Sequence, residues 1–323
     1  MLNQGWVYQE QVDRCHAGLT LLSYYTQRYR HSSQTEWQER IASEQILLNG
    51  QPVVAETILQ KGQLLTYHRP PWEEPEVPLS FAILYEDADL LVIEKPSGLP
   101  VLPGGGFLEH TLLRQLQRQY PQETPVPIHR LGRGTSGLML MARSPLARAN
   151  LSQQMRQSTA CLSREHPIRK VYLALVGSGD LPDCFTLTHA IGKIPHPILG
   201  YVYGATANGQ FAHSECQVVK RTVNTTLLKV TLFTGRPHQI RIHLSAAGYP
   251  LLGDPLYGVG GVPLLHAVDE KYTTGEKLPV PGDCGYHLHA YQLSFTHPRT
   301  DQPINLTCPP PPGFGEGCEC EAT

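Results

Sequence analysis

The chain contains no uninterrupted apolar run approaching the roughly 18 residues that a membrane-spanning helix requires. Its first residues, MLNQGWVYQEQVDR, carry neither a basic n-region nor an apolar h-region. A non-membrane, intracellular protein is therefore expected. Cysteine pairing is also missing: Cys15, Cys161, Cys184, Cys216, Cys284, Cys308, Cys318 and Cys320 form no CxxC pair and no framework spacing, and are read as reduced thiols. There is no GxxxxGK[ST] loop and no GxSxG elbow, which removes P-loop and hydrolase readings. Charge of one sign is scarce as well. With 26 Lys and Arg against 28 Asp and Glu the net charge is −2, which at first argues against nucleic acid as a partner. Apolar matter is present in quantity, at 41% of 323 residues with 17% charged, so the chain folds, and its length predicts two or three domains.

The charge average hides a local asymmetry. Between His129 and Lys170 stand Arg130, Arg133, Arg143, Arg148, Arg156, Arg164, Arg169 and Lys170 against a single acid, Glu165. Such a stretch is either a solvated basic face or an anion-binding surface.

Four segments separate by composition. Residues 1–69 combine apolar positions at helical spacing (Leu19, Leu22, Tyr25; Trp37, Ile41) with the β-like pieces ILLNGQPV and GQLLTYHR, the first containing the turn dipeptide Asn49-Gly50. This predicts a small α+β module. Residues 70–79 are proline-rich and acidic and read as a linker. Residues 80–309 are dominated by short strands (FAILYED, DLLVIEK, GLMLMAR, KVYLALVG, TLLKVTLF, LHAYQLSF), with HTLLRQLQRQ and SPLARANLSQQMRQ as amphipathic helices. The class expected is α+β, a mixed and largely antiparallel sheet with flanking helices. Residues 310–323 read as a disordered tail.

Three strings carry chemistry. His129-Arg130-Leu131-Gly132-Arg133-Gly134-Thr135-Ser136-Gly137 puts three glycines and two guanidinium forks ahead of an apolar run, a pattern suited to a phosphate-facing loop and equally to an ordinary glycine-rich hairpin. GRPHQIRIHL, from Gly235 to Leu244, reads as a strand with His238, Ile240 and Ile242 on one face and Gln239, Arg241 and His243 on the other. The two histidines are five apart, which fits no zinc spacing, and no metal is expected. GYPLLGDPLYG, from Gly248 to Gly258, is turn-dense, and Asp254 is either a turn-former or a functional carboxylate.

In the order HRLGRGTSGLMLMAR, RKVYLALVG, GRPHQIRIHL…AGYPLLGDPLYG and LHAYQLSFTHP, the chain resembles the RluA-type RNA pseudouridine synthases from about Leu84 to Pro309. EDADLLVIEKPSGLPVLPGGG is similar to that family's first strand pair. The front module resembles, on ERIASEQILLNGQPV…ILQKGQLL, the αL RNA-binding module of a ribosomal small-subunit protein. The resemblance implies a pseudouridine synthase-like domain acting on ribosomal or transfer RNA, without cofactor or metal. In that chemistry a uridine is turned out of its stack, its glycosidic bond is broken, and carbon 5 is rejoined to the sugar. It further implies that Arg130 lies near the target nucleotide, that Tyr172 stacks on the base, and that Arg241 pairs with the family's catalytic aspartate. His129, Leu131, Thr135, Ser136 and Gly137 would shape the loop, with Arg133 beside them in the substrate-binding set.

The family motif reads HRLD, and position 132 here is glycine, which is neither nucleophile nor base. Gly134 departs too, where the family usually carries an acid. Glu123, Glu165, Asp254 and Glu94 are the candidates for a substitute carboxylate, and the sequence prefers none of them. Two readings follow: an isomerase with a relocated catalytic group, or an RNA-binding protein of the same fold that has lost the chemical step. If the loop keeps the family backbone, an aspartate placed at 132 is expected to fit within reach of Arg241; if only glycine tolerates that backbone, it is expected to cost stability.

Overall fold

The computed structural model describes residues 2–160, 168–196, 199–264 and 279–314. The chain divides into two compact units, Met1–Pro75 with Pro195–Val202, and Glu76–Ile194 with the chain from Tyr203 onward.

The first unit holds helices and a small sheet within Met1–Pro75. Strand β1 (Trp6–Gln11) is followed by helices α1 (Leu21–Arg28) and α2 (Gln34–Ala42), then β2 (Ile46–Leu48), β3 (Gln51–Pro52) and β4 (Leu64–Arg69), in the sheet order β1-β4-β2-β3. Helix α1 begins where Thr20 accepts the Ser23 amide; α2 begins at a full capping box between Ser33 and Glu36. Their apolar faces bury Leu21, Tyr25, Trp37 and Ile41 against Ile46 and Leu65. Asn49 and Gly50 both have positive φ, 51° and 79°, the backbone that a two-residue hairpin between β2 and β3 needs. The supposed linker is only partly a linker. Asn3 exchanges backbone and side-chain hydrogen bonds with Trp72, and its amide donates to the buried Glu74 carboxylate at 2.8 Å. Prolines forbid a regular element there, but they leave the amides between them free to pair.

The second unit is a ten-stranded mixed sheet. Its strands are β5 (Ala82–Glu86), β6 (Leu90–Lys95), β7 (Val126–Pro127), β8 (Ser136–Ala142), β9 (Ile168–Gly177), β10 (Cys184–Leu187), β13 (Ser214–Arg221), β14 (Thr225–Leu232), β15 (Leu288–Thr296) and β16 (Pro303–Thr307). Strands β11 (Ile191–His196) and β12 (Gly200–Ala205) form a separate ribbon. The path runs β10-β13-β14-β9-β15-β8-β6-β5, with β16 on β15 and β7 on β8; among these strands only β15 and β8 run parallel. Helices α3 (Leu112–Gln119), α4 (Pro145–Ala160) and α5 (Gln239–Ala246) flank it. Strand β9 explains why the sheet is buried on both sides: Tyr172, Ala174 and Val176 enter the main core, whereas Leu173 and Leu175 pack with Leu227 and Phe314. Phe314 corrects the reading of 310–323 as a free tail. It is 5% exposed, so residues 310–314 are anchored by an aromatic side chain; 315–323 lie outside the described residues, with Cys318 and Cys320.

GRPHQIRIHL is not a strand. It turns at His238, whose φ is 54°, and continues as α5. The alternating Ile240, Ile242 and Leu244 imitate a strand because every residue from Gln239 to Ser245 is buried, and a helix buried all round carries no amphipathic period.

Candidate active site

The glycine-rich string forms the connection into β8, and its shape is fixed from below. The Lys95 ammonium, at the end of the apolar strand β6, is fully buried and donates to three carbonyls: Pro96 at 2.8 Å, Leu99 at 2.9 Å and Arg133 at 3.2 Å. The Gly98 amide also donates to the Arg133 carbonyl, and the Ser97 hydroxyl donates to that of Gly134. Burial lowers the Lys95 ammonium to about 7. Sequence reasoning passed over this lysine. Its signal was a cation closing the otherwise apolar run DLLVIEK.

Each sequence-predicted residue takes a definite place. Arg130 is exposed. Arg133 donates its Nε to the Gly282 carbonyl at 2.6 Å and lies 5.1 Å from the Phe107 ring centroid. His129 Nε2 accepts the Leu140 amide at 3.1 Å, and burial lowers its imidazole to about 3, so it serves the strand as a neutral acceptor. Ser136 is buried and bonded to His289 at 2.9 Å, which in turn reaches the Cys308 carbonyl; it holds β8 to β15. The next residue, Gly137, has φ 100°, and a Cβ there would strike the Ala290 carbonyl. His129 and Ser136 thus support the loop and the strand that follows it. Tyr172 lies in β9 between Val230 of β14 and Ala290 of β15, and burial raises its phenol to about 12.

Thr135, Arg241 and Gly132 come together around a residue that the sequence did not single out, Tyr286. An ideal Cβ on Gly132 would lie 2.6 Å from the Tyr286 hydroxyl oxygen and 3.4 Å from Thr135 Oγ1; one on Gly134 would lie 2.9 Å from the Tyr286 ring. Gly132 does not have a left-handed backbone, so space and not φ selects glycine there. Arg241 rises from α5 with its guanidinium carbon 4.2 Å from the Tyr286 ring centroid and 4.9 Å from that of Tyr257. Its other partner is Asp254: Nε to Oδ2 and Nη2 to Oδ1, each 2.7 Å, in a bidentate pair whose side chains are 3% and 0% exposed.

Asp254 also accepts the amides of Leu256 and Tyr257 through Oδ1, so it is both turn-former and ion-pair partner. Burial opposes the charge on Arg241, and the Asp254 hydrogen bonds together with the charges of Tyr286, Asp254 and Tyr257 outweigh it, leaving the guanidinium raised. Burial also raises the Tyr286 phenol, against the pull of Arg241. Of the other acids considered, Glu94 stands in β6 opposite Leu138 and Glu123 is exposed in the loop after α3. Glu165 lies outside the described residues. Among the described residues no group of three or more metal-ligating side chains is present.

A family model described as RNA pseudouridylate synthase matches residues 89–246. A Synechocystis protein named as an uncharacterized RNA pseudouridine synthase is 52% identical over 90% of this chain and 94% of its own length. The chain belongs to the RNA pseudouridine synthase family. RNA pseudouridine synthase 5 of Arabidopsis thaliana is 37% identical over 98% of this chain and 96% of its own length. Ribosomal large subunit pseudouridine synthase D of Nitrosomonas europaea is 36% identical over 71% and 62%. Human RNA pseudouridylate synthase domain containing 4 shares the fold with a TM-score of 0.51 at 26% identity, over 72% of this chain and 90% of that one. The mixed, mostly antiparallel sheet is that of the family. The described helices include none long and apolar enough to cross a membrane.

Proposed function

We propose that this chain isomerises uridine to pseudouridine at chosen sites of a structured ribosomal or transfer RNA, without the carboxylate that the HRLD motif supplies elsewhere in the family. The observation that carries the proposal is the buried assembly behind the motif loop. Arg241 is fixed by two 2.7 Å bonds to Asp254 and stacked on Tyr286, whose hydroxyl meets Thr135 of the motif loop, and Lys95 pins that loop through the Arg133 carbonyl. Burying an arginine and a lysine costs heavily unless their donors are used; here Lys95 spends its donors on carbonyls that include one of the motif loop, and Arg241 spends its own on Asp254 and the Pro281 carbonyl.

Uridine is turned out of its stack into the pocket, with Tyr172 offered to the base and Arg130 and Arg133 to the flanking phosphates. The first unit acts as an RNA-binding module; its two capped helices packed on a small sheet fit this role.

A second reading, an RNA-binding protein without the chemical step, is favoured by one observation. The atoms nearest a Cβ at position 132 belong to Tyr286 and Thr135, and no carboxylate is among them. Tritium release from carbon-5-labelled RNA separates the two, because only isomerisation replaces the hydrogen on carbon 5. Purified protein given 5-tritiated total RNA from cells lacking it is expected to release tritium. Binding with no release would leave the second reading.

A further inference from the structure

We propose that the Tyr286 phenol is the catalytic acid and base of this pocket, standing at Gly132 where the family motif carries its carboxylate. The proposal rests on the reading of the chain as an active isomerase.

Three features place the phenol for this work. Its oxygen lies 2.6 Å from the position a Cβ would take on Gly132, and residue 132 is exposed. A substrate atom approaching over the bare Cα therefore enters hydrogen-bond distance of the phenol, which any side chain at 132 would prevent. Among the described residues the phenol's hydrogen-bond partner is Thr135 Oγ1, at a long 3.3 Å; either hydroxyl can donate, and when Thr135 does, the phenol proton is left for a ligand. Finally, Arg241 faces the ring at 4.2 Å, held there by Asp254, and favours a phenolate when one forms. Burial keeps the resting phenol protonated, as an acid must be.

The proton account closes on this one residue. As the C1′–N1 bond breaks, its electron pair leaves with the uracil, the phenol proton passes to N1, and the phenolate faces the electron-deficient C1′. The neutral base rotates. The C5–C6 π pair then forms the C1′–C5 bond, and the proton on carbon 5 goes to the phenolate oxygen. The phenol is restored, N1 keeps the proton it received, and nothing is oxidised or reduced. The proton taken from carbon 5 then exchanges with water, which is what tritium release records.

The test compares wild type, Tyr286→Phe and the exchange variant Gly132→Asp/Tyr286→Phe on 5-tritiated total RNA from cells lacking the protein, with binding to the same RNA measured alongside. Removing the phenol oxygen is expected to slow release by about 100-fold or more while RNA affinity is kept, the scale of a lost general acid and base. The exchange variant, with a carboxylate in the vacated space, is expected to recover part of it. Fluorotyrosine at position 286 gives an independent readout: it keeps the shape, makes the phenol more acidic, and should move the alkaline limb of the pH–rate profile to lower pH. Undiminished release from Tyr286→Phe, or a fluorotyrosine profile that does not move, overturns the proposal and leaves the isomerase reading standing. No release from wild type overturns both.

Discussion

Tyr286 occupies the space in front of Gly132: its hydroxyl oxygen is 2.6 Å from where a side chain at 132 would begin, and its ring stacks on Arg241 at 4.2 Å. The glycine and the tyrosine are one structural feature. An aspartate restored at 132 by itself meets an occupied site, although the backbone there would accept it. Gly132→Asp is therefore expected to lower stability by roughly 1–3 kcal/mol, the usual cost of overpacking. Adding Tyr286→Phe should return most of it. Urea midpoints of the single and double variants check this; equal midpoints for wild type and Gly132→Asp would refute the shared-space account.

The Arg241–Asp254 pair yields a second expectation. Both side chains are buried, so Asp254→Asn leaves a guanidinium without its counter-charge and should cost about 3–5 kcal/mol. Asp183, on the exposed pair with Arg221, should cost less than about 1 kcal/mol when changed to asparagine. Denaturant curves of the two variants, run side by side, measure the contrast.

Histidines set the acid limit. Burial lowers His129 to about 3 and His243, which bonds Ser214 and the His189 carbonyl, to about 4, both below the ordinary 6.5. The unfolded chain binds protons on these rings below pH 6.5 while the folded one does not, so stability is full above pH 6.5 and falls as pH drops toward 4. The loss is of order 1 kcal/mol per histidine per pH unit in that window. Melting temperatures between pH 7.5 and 4.5 test it; a flat profile would mean that the rings are protonated in the fold.

Salt tests the basic stretch. If Arg130, Arg133 and their neighbours meet phosphates, RNA affinity should fall steeply with ionic strength despite the net charge of −2. Arg130→Ala should lower the slope by about 0.7–0.9, one phosphate contact. Affinity indifferent to salt would remove the phosphate role.

Much of this was legible in the sequence because the relevant signals are local. Short apolar runs mark β6, β8, β9, β14 and β15, and apolar residues at helical spacing mark α1 and α2. What failed were features decided by burial or by distance along the chain. Helix α5 is buried on every side, so its isoleucines read as a strand. For Ser136 and His129, placed in the loop-shaping and substrate-binding set, the sequence could not show the partners that the fold supplies, His289 on a distant strand for Ser136 and the Leu140 amide of the following strand for His129. Tyr286 has no local signal at all. Its importance comes from a contact with Gly132 across more than 150 residues, and only the fold creates that contact.

The most direct measurement is a map of pseudouridine in RNA from cells that lack the protein and from the same cells given it back, read by mass labelling of uridines. The account predicts one or a few positions that lose pseudouridine in its absence, regain it with wild type, and do not regain it with Tyr286→Phe. Identical maps with and without the protein would contradict it.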